Sequence, residues 1–294
     1  MKPAHIALAL LTTAIWGFNF VMIRVALDSG LPPLLMAALR FVVAALPVLW
    51  LPRPTISTGR LVAIAAFLFV GQFGLLFTGM AAGMPPGLAS VTQQSQAFMT
   101  GLIAAAVLRE RPTPCTVAGM AVAFLGLALI ATTVGGGGVT ALGLGLCLSA
   151  AASWAVGNVL LRGAGETGGA LALMSWMSLV PILPFFAMSL AIEGPGTIAH
   201  ALTHLQWGGV AGVLYVAVAA TSVGYGIWGF LMARYPATTV APFALLVPVT
   251  GAASAALVVG ESFGPMRLVG MALVLAGLGI GVLRWRRDPA PAAR

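Results

Sequence analysis

The sequence predicts an all-α membrane protein of ten transmembrane helices arranged as two inverted five-helix repeats. Three observations lead there. The 294 residues are 60% apolar and 7% charged with a mean hydropathy of +1.06, whereas soluble domains carry about 25% charged residues. The apolar residues fall into runs of about 20, the length of helix that crosses roughly 30 Å of hydrocarbon. The second half of the chain also repeats the first in outline. The 37 glycines and 19 prolines fit this class, because neighbouring helices re-satisfy freed backbone groups inside a membrane.

Taken in order, the spans are expected near 4–27, 33–51, 60–80, 87–108, 114–133, 140–161, 171–192, 207–231, 237–259 and 265–284. Turn-rich segments separate them: PRPTIS at 52–57, MPPG at 84–87, RERPTP at 109–114 and a glycine run at 135–138. No GK[ST] follows the glycine run, so it reads as a flexible link and not as a phosphate loop. Ten such helices take about 200 residues and leave no room for a soluble domain. The first span is long, has a minimal basic n-region and lacks a convincing cleavage site, so it is expected to stay as a span and not to be removed as a signal peptide.

Basic residues set the orientation. With the N-terminus inside, the cytoplasmic segments hold Lys2, Arg53, Arg60, Arg109, Arg111, Arg162, Arg234, Arg284, Arg286, Arg287 and Arg294, and the outer loops hold Arg267. Both termini are therefore expected on the cytoplasmic side, with an even number of spans. The same placement accounts for the net charge of +8, and nucleic acid is not expected as a partner.

Internal similarity defines the halves. AGMAVAFLGLALI at 118–130 aligns with VGMALVLAGLGIG at 269–281, superposing Gly119 on Gly270 and Gly126 on Gly277. The same offset places Pro85 on Pro236 and Glu110 on Glu261. AIWGFNFVMIR at 14–24 resembles ASWAVGNVLLR at 152–162, with Trp16 over Trp154 and Asn19 one residue out of register with Asn158. The repeats are assigned to 1–134 and 139–286, with a short cytoplasmic tail at 287–294. Five spans per half invert the second half, an architecture that places solute near the midplane between the halves.

Enzyme signatures such as HExxH and GxSxG are absent, and His5, His200 and His204 lie outside the span centres. His200 and His204, four apart in an outer loop, read as solvated in preference to metal-binding, and no cofactor or metal is expected. Cys115 and Cys147 read as small core residues.

Polar groups inside spans point to function by default. Trp16 and Asn19 share a face of span one, as Trp154 and Asn158 do in span six. An amide offers both donors and an acceptor to a zwitterion, although it also glues helices together. Span four carries Gln93, Gln94, Ser95 and Gln96; on a regular helix these glutamines spread over about half the circumference, so at least one is expected to face a wet cavity. Gln72 in span three, and Tyr225 and Trp228 spaced with Thr221 in span eight, complete the candidate substrate-binding set: Trp16, Asn19, Gln72, Gln94, Gln96, Trp154, Asn158, Tyr225 and Trp228. Pro242 and Pro248 in span nine bend it, either for rocking or for packing.

Arg40 lies seven residues past Pro33, roughly 10 Å into the bilayer. It either attracts a carboxylate or caps carbonyls of a neighbouring helix. Arg24 and Asp28 read as a local ion pair. Gly119, Gly126, Gly277 and Gly281 mark spans five and ten as close-packed scaffold, with a dimer face as the alternative. No Asp or Glu lies mid-span, so a carboxylate proton relay is not supported; Glu110 and Glu261 lie at span ends.

WGFNF (16–20), LRF (39–41), GMPPGLAS (83–90), QQSQAF (93–98), VGYGIWG (223–229) and VAPFALLVPV (240–249) together resemble the EamA-type drug/metabolite transporters, and within them the bacterial O-acetylserine/cysteine exporters. The similarity covers nearly the whole chain. It implies a ten-helix inverted-repeat fold and efflux of cysteine-pathway metabolites; Gln93 departs from the apolar residue expected in that branch. The expected function is thus alternating-access export of a small molecule such as cysteine or O-acetylserine, by a monomer or homodimer in a lipid bilayer. The alternatives are efflux of other small solutes, such as aromatic amino acids or drugs, and a non-transporting membrane scaffold.

Overall fold

The computed structural model describes residues 1–84, 92–109, 112–132, 140–165, 167–259 and 264–283. Every element among them is helical. Helix α1 (Pro3–Asp28) is followed by α2 (Pro33–Ala45), which ends in a 3₁₀ turn at Leu46–Leu49. Both open on proline, whose missing N–H costs nothing in a first turn. Helix α3 runs through Thr58–Ala65, a π-helical segment Ala66–Gly71 and Gln72–Ala81. Then come α4 (Gln96–Val107), α5 (Pro114–Thr132) and α6 (Ala141–Ala164). Thr140 caps α6 by accepting from the Gly143 N–H at 3.0 Å.

In the second half, α7 comprises Ala170–Met177 and Ile182–Ile192, and α8 is a short helix, Pro195–Thr203. Helix α9 runs through Trp207–Leu214, a π-helical segment Tyr215–Tyr225 and Gly226–Arg234. Helix α10 joins Ala237–Val240, the 3₁₀ stretch Ala241–Leu246 and Val247–Val259, and α11 is Pro265–Leu283. Among the described residues, five stretches are long and apolar enough to cross a bilayer: Pro3–Asp28, Thr58–Met80, Ala141–Ala164, Ala170–Ile192 and Trp207–Arg234. Shorter apolar helices at Pro33–Leu49, Gln96–Val107, Pro114–Leu129, Ala237–Gly251 and Leu268–Gly277 occupy the places of the other expected spans.

The structure changes three expectations. The glutamine run does not lie on one regular helix: Gln94 and Ser95 form a turn, in which the Ser95 N–H bonds to Thr92 O at 3.0 Å and the Ala97 N–H to Gln94 O at 3.1 Å. These i to i+3 bonds tighten the backbone, so a 100° angular spacing does not apply. Span seven is interrupted by turns at 178–181, around Pro181. The outer loop folds into α8, which Gly194 (φ +84°) separates from α7 and Pro195 starts; His200 and His204 stack there at 4.4 Å, exposed. Pro85, Arg111, Glu110, Glu261, the glycine run 135–138 and the tail 287–294 lie outside the described residues, as do the side chains of Arg24 and Arg267.

Helix pairing follows the internal repeat. Helix α1 packs on α9 and α10, and α6 packs on α3 and α4; α2 packs on α7, and α5 on α11. Exchanging α1 with α6, α2 with α7, α3 with α9, α4 with α10 and α5 with α11 turns this set of pairs into itself. The π-helical segments fall at corresponding places in α3 and α9, and the turn at 94–95 ahead of α4 corresponds to the 3₁₀ stretch of α10. Helix α5 crosses α11 closely. A Cβ on Gly126 would lie 2.5 Å from the Gly270 carbonyl oxygen, and Gly277 faces the Gly119 carbonyl in the same way. The glycine faces of these two helices are therefore covered by one another within a single chain.

Both ends of the bundle are fastened. At the end carrying residue 1, His5 Nδ1 and the Tyr235 hydroxyl are 2.7 Å apart, the Thr55 N–H donates to Thr167 O at 2.9 Å and Arg162 Nη1 to Ala233 O at 3.1 Å. At the far end, the Glu193 carboxylate of α7 accepts the N–H groups of Leu34 and Leu35 at 2.6 and 3.0 Å and the Ser189 hydroxyl at 2.6 Å. An anion is favoured at a helix N-terminus, where N–H groups lack helical partners. Glu193→Ala is expected to cost about 1–3 kcal/mol and to lower the melting midpoint in detergent; an unchanged midpoint would show that the latch contributes nothing.

Candidate functional site

The site begins with Trp16 on α1, buried in the middle of the bundle. Its indole N–H donates to Ala220 O at 3.0 Å, a carbonyl in the π-helical part of α9. Gly224 makes the approach possible, since a Cβ there would lie 2.6 Å from Trp16 Nε1. Around Trp16 stand Tyr225 at 4.9 Å, Trp228 at 5.1 Å and Trp154 at 5.8 Å between ring centroids. Phe69, in the π-helical turn of α3, closes on Tyr225 edge-on at 5.1 Å. Tilted and edge-to-face arrangements suit the quadrupoles of such rings.

Polar groups thread the cluster. Trp228 Nε1 donates to Asn158 Oδ1 at 2.9 Å, and Asn158 Nδ2 donates to Gln96 Oε1 at 3.1 Å. The Thr100 hydroxyl donates to the same oxygen at 3.2 Å. One turn away in space, the Tyr225 hydroxyl donates to Gln72 Oε1 at 3.3 Å. Asn158, Gln96 and Trp228 are completely buried. Among the described residues, three buried polar atoms lack a hydrogen-bond partner here: Gln96 Nε2 and Trp154 Nε1 in the cluster and, further along α1, Asn19 Oδ1. A buried polar atom left without a partner costs about 1–3 kcal/mol, a cost that an acceptor placed against the two donors would remove.

The structure therefore brings seven of the nine sequence-selected residues into one connected cluster: Trp16, Gln72, Gln96, Trp154, Asn158, Tyr225 and Trp228. Asn19 sits almost one turn past Trp16, half-buried, and makes no hydrogen bond to the cluster. Gln94 is buried in the turn ahead of α4, beside Gln93. Phe69, Thr100 and Gly224 were missed. Thr100 was accessible to reasoning, because it follows Gln96 by four residues; Phe69 carries no signal that separates it from its apolar run.

Arg40 neither caps carbonyls nor pairs with a carboxylate among the described residues. Its Nε and Nη2 donate to Thr221 Oγ1 at 3.2 and 2.9 Å, and the guanidinium lies over the rings of Phe73 and Phe41, 4.5 and 5.0 Å from their centroids. Among the described residues no three His, Cys, Asp or Glu side chains gather to hold a metal. A cleft of about 270 Å³ opens toward the end carrying residue 1, lined by Leu161, Gly169, Leu173, Gly229, Phe230 and Arg234.

Apolar helices paired across two matching halves, with a buried polar and aromatic centre, define a multi-pass membrane transporter. The chain belongs to the EamA-like transporter family, whose profile matches residues 4–132 and again 141–282. It is 41% identical over 287 residues to a probable amino-acid metabolite efflux pump of Escherichia coli, covering 95% of this chain and 96% of that protein. It is 42% identical over 284 residues to a protein of the same description in Salmonella typhimurium, covering 95% of each. A probable terminal-alkyne amino-acid exporter of Streptantibioticus cattleyicolor is 28% identical, covering 95% of this chain and 93% of its own. A solved crystal structure superposes with a TM-score of 0.79 at 16% identity, covering 98% of this chain and all of its own, and so shares the fold.

Proposed function

We propose that this protein exports small amino-acid metabolites, cysteine and O-acetylserine foremost, across the bacterial inner membrane by alternating access. Ten spans form two inverted repeats, 1–134 and 139–286, with both termini in the cytoplasm. The nine selected residues, with Trp16, Asn158 and Gln96 at their centre, hold the solute between the halves. The cleft beside Gly229 is then the cytoplasmic approach, and the Glu193 latch closes the periplasmic side.

The observation that carries this reading is the buried centre itself, in which Gln96 Nε2 and Trp154 Nε1 are donors without acceptors among the described residues, set among four aromatic rings. Such a centre suits a compact zwitterion: an acceptor atom of the solute takes the two donors, and the ring faces attract its ammonium and shield its side chain from water. The relatives described as amino-acid metabolite efflux pumps support the same solute class. The aromatic lining also supports a second reading, efflux of aromatic amino acids or drugs.

Purified protein in liposomes loaded with labelled cysteine, O-acetylserine or tryptophan tests both. Saturable efflux of the first two, slow efflux of tryptophan and indifference to an imposed pH gradient are expected. Preferential movement of tryptophan favours the second reading, acceleration by the gradient implicates Glu110 or Glu261, and no flux of any solute refutes export.

A further inference from the structure

We propose that Arg40, held in place by Thr221, is the docking point for the carboxylate of the transported solute, outside the nine residues assigned above. The proposal rests on the reading of the protein as an amino-acid metabolite exporter and names the group of the solute that is recognised.

Arg40 is 4% exposed and lies roughly 10 Å along α2 from Pro33. A buried cation normally sits against a counter-charge, because desolvating it alone is unfavourable. Here no carboxylate among the described residues reaches it, and Thr221 is its hydrogen-bond acceptor among them. The Thr221 hydroxyl proton goes to Val216 O at 2.8 Å, so its oxygen is turned toward the guanidinium. Both contacts, from Nε and Nη2, use one edge of the fork. The other edge, formed by Nη1 and the second Nη2 proton, has the spacing that binds a carboxylate through two parallel bonds. The guanidinium carbon lies over the Phe73 and Phe41 rings.

The position is continuous with the centre. Thr221 precedes Tyr225 by four residues on α9, and Phe73 follows Gln72, the acceptor of the Tyr225 hydroxyl. Phe41 packs on Phe69 at 5.0 Å, and Phe69 packs on Tyr225. Thr221 also lies within the Tyr215–Tyr225 π-helical segment, a backbone form that recurs at functional sites.

The test uses full-length protein in liposomes carrying labelled cysteine, with two competing probes. 3-Mercaptopropionate keeps the carboxylate and thiol of cysteine, and cysteamine keeps the amine and thiol. The wild type is expected to be inhibited by 3-mercaptopropionate and much less by cysteamine. Arg40→Gln is expected to reduce that preference about tenfold or more, Arg40→Lys to restore part of it, and Thr221→Val to reduce it without removing the charge. Equal inhibition of the wild type by both probes overturns the proposal. So does a general loss of flux in Arg40→Gln and Thr221→Val with the preference intact. If Arg40→Gln does not fold, Thr221→Val carries the comparison. If the wild type moves no amino acid, the exporter reading fails separately. The anion site is then read from the melting midpoint: a rise with 3-mercaptopropionate, absent with cysteamine and absent in Thr221→Val, supports it, and equal midpoints with both probes overturn it.

Discussion

Asn158→Ala is expected to reduce solute flux about tenfold or more while the protein still reaches the membrane. The residue donates to Gln96 Oε1 and accepts from Trp228 Nε1, at 3.1 and 2.9 Å, so one truncation orphans a buried indole N–H and loosens a buried glutamine. Each lost partner costs about 1–3 kcal/mol in a dry site, and about 1.4 kcal/mol is a factor of ten. Interhelical hydrogen bonds in membrane proteins average nearer 0.6 kcal/mol in stability. The effect therefore belongs to solute handling more than to folding. Counterflow per unit of monodisperse protein checks it. Normal flux would remove Asn158 from the site, and loss of monodisperse protein would make it a structural bridge.

Gly126→Leu and Gly277→Leu are expected to prevent assembly of the bundle. A Cβ at 126 would meet the Gly270 carbonyl oxygen at 2.5 Å and the Val274 nitrogen at 2.9 Å; one at 277 would meet the Gly119 carbonyl and the Ala123 nitrogen, the latter at 2.6 Å. These obstacles are backbone, which cannot turn aside as a side chain can. Overpacking costs roughly 1–3 kcal/mol even where side chains can adjust. Membrane helices also rely on such close packing for their association, so forcing α5 and α11 apart removes most of what joins them. Gly145→Leu on α6, where nothing lies within 4 Å, is the control. Yield and melting midpoint after size-exclusion chromatography separate the outcomes; a wild-type midpoint for Gly126→Leu would show that the crossing is not as tight as the structure places it.

What the sequence revealed follows from what a membrane imposes. Apolar runs bounded by Pro33, Pro114 and Pro265 mark helix starts, because proline fits a first turn wherever the helix lies. Breaks inside spans were hidden. In the π-helical turn of α9, Ala220 O accepts from Trp16, which reaches it past Gly224; residues more than 200 apart meet there, and no local pattern reports it. At the site, polarity within an apolar run indicated burial but not partners. Gln96, Asn158 and Trp228 were each visible, whereas the chain of bonds joining them was not. The unequal spacing of Trp16–Asn19 and Trp154–Asn158 was a usable signal: one residue of slip turns an amide by about 100°. Accordingly Asn158 enters the network and Asn19 does not. Arg40 was legible as an anomaly, but its acceptor, Thr221, lies on another helix and required the fold.

Alternating access requires the buried centre to face each side of the membrane in turn. A single cysteine at Gln96, introduced after replacing Cys115 and Cys147, tests this through membrane-impermeant thiol reagents applied to either face. Labelling from the cytoplasmic and from the periplasmic side is expected, slowed from both by cysteine-like solute that does not itself react with the reagent, such as O-acetylserine. Labelling from neither side, or from one side without any effect of solute, would contradict a transport site at this position.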